Sequence, residues 1–447
     1  MTDSMQASTS AVDPADFFAA PVDPGSRDRL AATGLDYRVV DHDGSDFAAW
    51  LGVVGRGFLG EERTDTQVAA IRERSAHRRS TGVYDSTAPM ADAPVATIAS
   101  WIADLTVPGG AVIPSCAISA VTVSPTHRRR GIARAMLEGE LAAAAAAGAP
   151  MAMLTVSEST LYGRYGFAPA ALSAEWRIDV KRASWIGPIP DGRVDFVTRE
   201  QARELLGTIH DRRRLSTAGE IPMQPGGWDG YTGTRPDAEK AGSKRAVRYA
   251  DADGEVRGVA VYTVTENHDD FTKASVHVGY LLAETDDAYA ALWRFFVELD
   301  LVAEVRAGEL SVDEPLRWML SDQRAATVTV MDHQYVRILD VKAALEARTF
   351  GAAGEFVLDV ADPLGHTTGR WLLRVDGEGR GTVSRADDDA PAWAVPIALG
   401  IAELSAAYLG GVSIATLAAA GRVKTTDAAA AARTFGWHTA PRLSFWY

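Results

Sequence analysis

Cysteine is almost absent: the 447-residue chain holds one, Cys116. A single thiol excludes an intramolecular disulfide framework and any cysteine-based metal cluster. Its place in an apolar run reads as a small core residue rather than a nucleophile. Long hydrophobic runs are missing as well, and no stretch approaches the roughly 18 uninterrupted apolar residues of a membrane span. Positive charge is in deficit, with 45 Lys and Arg against 59 Asp and Glu, a net −14. That balance argues against a general nucleic-acid binder and favours cationic partners through long-range attraction. Residues 1–34 have no basic stretch followed by an apolar core, so they do not read as a signal peptide. Rich in Ser, Asp, Pro and Ala, they read as a disordered tail, and cytoplasmic folding is the expectation. What is present, 47% apolar and 23% charged residues, is the composition of a globular protein, and the length predicts about three domains.

Three segments follow the tail. In residues 35–180, Tyr37–Val40 reads as a strand, Phe47–Phe58 as a helix by its apolar spacing, and Gln67–Arg79 as a charged helix. Strand-like runs follow at Gly82–Ser86, Val95–Val107 and Ile113–Val123, with a turn at Gly109-Gly110 between the last two. Helix Ile132–Ala147 holds a strongly helix-forming alanine run ended by Gly148 and Pro150, and Met151–Val156 is a buried-strand candidate. Residues 181–335 have an α+β pattern: helices Glu200–Arg214 and Ala288–Leu299, strands Arg245–Tyr249, Glu255–Glu266 and Ala274–Ala283. Residues 336–447 carry strands Glu355–Val360, Gly369–Val375 and Gly381–Ser384 and an apolar helix expected over Ile397–Leu409. Gly377-Glu378-Gly379-Arg380-Gly381 lies between two alternating strands with no helix after it, so it reads as a hairpin turn rather than a nucleotide loop. Asp387-Asp388-Asp389 reads as an exposed loop.

The most informative feature is Arg128-Arg129-Arg130-Gly131-Ile132-Ala133, a basic glycine turn between a strand and a long helix. Such a turn presents backbone N–H groups at the positive end of the helix dipole, a ready site for a pyrophosphate. Gly131 lets the backbone approach the phosphates. The spacing resembles the R/Q-x-x-G-x-G/A signature of the GNAT acetyltransferases, which implies acetyl-CoA as co-substrate. His127, among the arginines, is expected to neighbour phosphate. The comparable position in the second segment reads Ala283-Glu284-Thr285-Asp286-Asp287; its carboxylates would repel phosphate, so a degenerate, coenzyme-free GNAT fold is expected there.

The glycine turn, Leu161-Tyr162-Gly163-Arg164-Tyr165-Gly166-Phe167, Tyr408-Leu409-Gly410-Gly411-Val412 and the aromatic end Leu443-Ser444-Phe445-Trp446-Tyr447 occur together and in order. In that combination the chain resembles the Eis (enhanced intracellular survival) family of GNAT N-acetyltransferases, from about Leu35 to Tyr447. The resemblance implies an α+β chain of tandem GNAT folds, the first active and the central one degenerate, followed by a sterol-carrier-protein-like α/β domain. It implies acetyl transfer to several amines of aminoglycosides or similar polyamines, with protein lysines as alternative acceptors, no metal, and a homohexamer. A non-catalytic lipid-carrying or regulatory role for the C-terminal domain is the reading from a different class. Carried over by position, Tyr162 is the general acid and the carboxylate of Tyr447 the base. Coenzyme contacts fall on Val121, Thr122 and Val123, on Arg129, Arg130, Gly131, Ile132, Ala133 and Arg134, and on Ser157 and Glu158. The chain ends in Tyr where phenylalanine is familiar in the family.

Overall fold

The computed structural model describes residues 12–238, 240–386 and 391–447, and the acidic run Asp387–Asp389 lies outside them. The chain forms two compact units, one of residues up to 171 with 334–438 and Tyr447, the other of residues 172–333 and 439–446. Among the described residues no helix is long and apolar enough to cross a membrane.

The first unit begins with α1 (Pro14–Ala19) and α2 (Pro24–Ala31). The disordered tail expected over residues 1–34 therefore does not extend over its described part. The two Asp-Pro pairs are helix starts. The Asp13 carboxylate accepts from the Ala15 amide (2.8 Å) and that of Asp23 from the Ser26 amide (2.7 Å), each followed by Pro at the first helical position. Helices this short are unstable alone; burial of Phe17, Val22 and Leu30 in the core holds them in place.

Strand β1 (Asp36–Val39), helix α3 (Asp46–Gly57) and helix α4 (Asp65–Arg74) follow, α4 opened by a reciprocal Thr64–Gln67 capping box. The charged helix is shorter than expected, and Arg79 starts β2 (Arg79–Tyr84). Then come β3 (Ala96–Thr106), β4 (Val112–Val123), α5 (Ile132–Ala146) and β5 (Met151–Thr155). β1 to β4 run antiparallel in order, and β5 lies parallel to β4. Arg79, wholly buried, donates to both carboxylate oxygens of Glu140 on α5 (2.8 and 2.7 Å) and to the carbonyls of Ala20 and Pro21. Ser100 of β3 donates to the same carboxylate. One ion pair thus ties the N-terminal helices, β2, β3 and α5 together.

The second unit contains β6 (Ala168–Asp179, entering from the first unit), β7 (Arg193–Val197), α6 (Arg199–Arg213), α7 (Gly227–Thr232), β8 (Lys244–Ala250), β9 (Val256–Thr265), β10 (Ala274–Ala283), α8 (Asp286–Val297), β11 (Val302–Leu310) and the start of β12 (Ala326–Ile338). Its sheet runs β6-β11-β10-β9-β8-β7, with β10 and β11 parallel and α8 between them in sequence. The β4–α5–β5 arrangement of the first unit is therefore repeated.

Back in the first unit, β12 pairs antiparallel with β5 from Gln334↔Thr155 to Ile338↔Met151. After α9 (Val341–Ala347) a separate sheet forms from β13 (Gly354–Ala361), β14 (Gly369–Val375), β15 (Gly381–Arg385), β16 (Val395–Gly400) and, after α10 (Ile401–Ala407) and α11 (Ile414–Ala419), β17 (Val423–Thr425). Helix α12 (Ala428–Phe435) completes it. The helix expected over Ile397–Leu409 divides: Ile397–Leu399 belong to β16, parallel to β13, and the helix starts only at Ile401. A buried apolar run does not distinguish strand from helix by periodicity, and pairing with β13 decides it. Gly377–Gly381 closes the β14–β15 hairpin.

Glu140→Ala strands the Arg79 charge in the core. The expected loss of unfolding free energy, read from urea denaturation, is about 3–5 kcal/mol. A loss below about 1 kcal/mol, the range of an exposed pair, would contradict this role.

Candidate active site

The site begins where two parallel strands part. β4 and β5 pair from Ser115↔Met151 to Ile118↔Leu154, but β4 continues to Val123. Against β3 the register runs Ala99↔Ser119 and then Thr97↔Thr122, so Ala120 and Val121 stand together opposite Ile98. This is a β-bulge, with Ala120 at φ 52°. The Thr97 hydroxyl donates to Ala120 O (2.8 Å) and so accepts from Thr122 Oγ1 (2.7 Å), which fixes the bulge. Bending β4 there frees the Val121–Val123 backbone from β5 and leaves an edge able to pair with an extended amide-bearing ligand.

At the end of β4 the chain turns through Arg128–Gly131. Arg129 (φ 62°) and Gly131 (φ 77°) take the left-handed conformation, which turns neighbouring N–H groups toward one side at the start of α5. The Cβ position over Gly131 is open, with nothing within 4 Å. Arg128, Arg129 and Arg130 are exposed. This cradle fits a pyrophosphate. Asp85 stands beside two of the basic groups of this turn. The His127 ring bonds Asp85 Oδ2 at 3.2 Å, and Arg130 Nη1 lies 3.7 Å from the same oxygen. The Thr87 hydroxyl and amide, then His127, hold the Asp85 carboxyl down to about 2. Arg134 is engaged with Glu138 one turn along α5.

The opposite wall is the end of β5 and the segment after it. Ser157 and Glu158 are exposed. Tyr162 is partly buried with its ring edge-on to Phe167 at 6.2 Å. Burial, then the Glu158 carboxylate, push its phenol up to about 12, so it carries its proton at neutral pH. Thr155 Oγ1 donates to the main-chain oxygen of Tyr447 at 2.8 Å, which brings the last residue to the point where β4 and β5 separate. The Tyr447 ring sits edge-on to Trp101 at 5.3 Å, and the Arg78 guanidinium lies over Trp101 at 4.2 Å. Among the described residues the Tyr447 hydroxyl is buried without a hydrogen-bond partner, the one polar atom that separates it from phenylalanine. Cys116 is fully buried, and burial, then Glu140, push its thiol well up, so it holds no thiolate for nucleophilic work.

Val121–Val123 thus lie on the freed end of β4, Arg129–Gly131 on the turn after it, Ile132–Arg134 in the first turn of α5, and Ser157, Glu158 and Tyr162 on the segment after β5, while Tyr447 meets Thr155 at the end of β5. Asp85, Thr97, Thr155, Trp101 and Arg78 were not anticipated. Each acts on the site through a partner distant in sequence, as Thr155 does on Tyr447, and no local spacing signals such a contact.

The fold and this opening define a tandem GNAT acetyltransferase with a C-terminal sterol carrier domain. Family models described as an acetyltransferase (GNAT) domain match residues 38–170 and again 219–338, and a sterol carrier protein domain matches 341–444. N-acetyltransferase Eis of Mycobacterium tuberculosis is 34% identical over 332 residues, 72% of this chain and 77% of that protein. An uncharacterized N-acetyltransferase of Streptomyces avermitilis is 36% identical over 396 residues, 87% of this chain and 92% of that one. The crystal structure of Eis1 from Mycobacterium abscessus superposes with a TM-score of 0.77 at 28% identity, covering 92% of this chain and all of that one. The chain belongs to the Eis family of N-acetyltransferases.

Tyr447→Phe removes the unpartnered buried hydroxyl and is expected to raise unfolding free energy by about 1 kcal/mol, measured by thermal denaturation. Destabilisation would show that the hydroxyl has a partner in solution.

Proposed function

We propose that the first domain transfers the acetyl group of acetyl-CoA directly to amines of aminoglycosides or similar polyamines, at several positions. The hydrogen bond from Thr155 to the main-chain oxygen of Tyr447 at 2.8 Å carries the mechanistic reading. It anchors a carboxylate at the mouth of the strand opening, where an incoming ammonium must lose a proton. The bound coenzyme supplies an activated acetyl thioester. The exposed N–H groups around Gly131, with Arg129 and Arg130, would hold its pyrophosphate. The freed backbone of Val121, Thr122 and Val123 would take its pantetheine as an added strand, and Ser157 and Glu158 would contact it across the opening.

In this reading the Tyr447 carboxylate takes the proton from the amine and Tyr162 Oη gives its own to the departing sulfur. The buried Cys116 offers no route through an acetyl-enzyme, which favours direct attack in a ternary complex. The net charge of −14 favours encounter with polycations over neutral acceptors.

Tyr162→Phe is expected to lower kcat by about 10²–10⁴, the range of general acid catalysis, with acetyl-CoA affinity unchanged; full turnover in a thiol-release assay would remove Tyr162 from the role. The pH profile offers an independent check. Because the folded pKa of Tyr162 is raised to about 12, the proton is retained as pH rises through about 10, where a free tyrosine titrates. Turnover should hold through that range and decline only toward 12; a fall near 10 would assign the acid elsewhere. Residues added after Tyr447 convert its carboxylate to an amide and should abolish most turnover, whereas an active extended chain would exclude it as base.

A further inference from the structure

The central domain repeats the strand parting of the first, and its cleft is filled. β10 and β11 pair in parallel up to Val278↔Ala307. Beyond that point the ladder ends, and both strands carry bulges against their other neighbours. Gly279 is the extra residue of a bulge against β9, between Val278↔Tyr262 and Tyr280↔Val261. On β11 the register against β6 shifts between Ala307 and Leu310, with Glu309 at φ 54°. The segment 441–446 of the same chain lies in this unit, with Leu443, Ser444 and Phe445 at 0%, 4% and 1% exposure.

Its contacts come from both walls. Tyr280, just past the bulge, donates its hydroxyl to Ser444 Oγ at 2.6 Å, and Ser444 donates onward to Glu220 Oε2 at 3.1 Å. Arg442 Nε donates to the carbonyl of Glu309 at 3.0 Å, and the Arg442 amide to Ala218 O at 2.8 Å. His333 Nε2 donates to Phe445 O at 3.2 Å, and the His210 ring lies 6.2 Å from that of Phe445. Tyr280 itself is wedged between Trp228 (5.0 Å) and Tyr231 (4.9 Å). Burial opposes the charge of Arg442, but the carboxylates of Glu314 and Glu220 and the phenols of Tyr280 and Tyr289 outweigh it and hold its pKa above the usual value.

We infer that the divergent cleft of the central domain is a peptide-binding site for the chain's own segment 441–446, locked by Tyr280, Ser444 and Glu220. These are positioning residues. Tyr447 follows Trp446 by one peptide unit, so its Cα stays about 3.8 Å from that of Trp446. The catalytic part of this inference rests on the reading of Tyr447 as base; the binding site does not. The cleft also carries Glu220, Glu309 and Glu314, a lining suited to the cationic Arg442 and opposed to a pyrophosphate.

The test uses the full chain with Ser444→Val, which removes both hydroxyl bonds, Ser444→Thr, which keeps them, and Tyr280→Phe, which preserves ring packing should the valine variant fail to fold. Hydrogen exchange of the peptide covering residues 440–447 and release of Tyr447 by carboxypeptidase report the lock without reference to activity. Ser444→Val or Tyr280→Phe should speed both by about tenfold, the factor that loss of one buried hydrogen bond produces. Ser444→Thr should restore native behaviour. In parallel, kcat should fall by a similar factor while KM for acetyl-CoA stays constant. Unchanged exchange and release in Tyr280→Phe would overturn the inference. Accelerated release with unchanged kcat would uphold the lock and remove Tyr447 as base.

Discussion

Both acetyltransferase folds of this chain are organised by a parallel strand pair that parts before its strands end. Backbone N–H and C=O groups released from a ladder need new partners, and a bulge in the middle of a sheet releases them at a defined place. In the first domain the bulge at Ala120, fixed by the Thr97 and Thr122 hydroxyls, opens β4 beside an exposed basic turn. In the central domain the bulge at Gly279 opens β10 beside a turn carrying Glu284, Asp286 and Asp287. The same geometry therefore meets opposite charge. One opening suits a phosphorylated coenzyme, and the other accommodates a peptide with an arginine.

Buried ion pairs hold these openings in place. Arg79–Glu140 joins the N-terminal helices to α5, the helix that follows the Gly131 turn. Arg337–Asp362 joins β12, which flanks β5, to the sterol carrier sheet through two bonds of 2.8 and 2.7 Å between fully buried groups. Arg348 is met instead by the carbonyls of Thr349, Ala407, Tyr408 and Phe435, and burial pulls its pKa down to about 10. Arginine suits these places because its planar fork satisfies several acceptors while keeping its charge. Such pairs add less net stability than their Coulomb energy suggests, but removing one partner is costly, so they fix which elements meet.

Much of this was legible in sequence because it is local. The glycine turn, the strand before it and the alanine-rich helix after it are read from consecutive residues, and β4 and α5 fall within a residue of the expected bounds. The acidic counterpart after β10 was legible for the same reason. The N-terminal helices are disguised by a disorder-like composition, and although the Asp-Pro caps mark their starts, their stability lies in Phe17 and Leu30 meeting residues far along the chain. The division of Ile397–Leu409 into strand and helix depended on β13, which no window around those residues contains. In the site, Tyr162 and the glycine turn came from motif and family likeness. Asp85 on His127, Thr155 on Tyr447 and Tyr280 on Ser444 join residues 42, 292 and 164 positions apart, where periodicity carries no information.

The most direct measurement is the stoichiometry of acetyl-CoA binding to the intact chain by titration calorimetry. Two GNAT folds with two strand openings would offer two coenzyme sites if fold alone determined occupancy. Charge at the turn and the tail seated in the central cleft predict one acetyl-CoA per chain, lost when the Gly131 turn is blocked by a bulky side chain. Two equivalents per chain, or one that survives that block, would contradict the account.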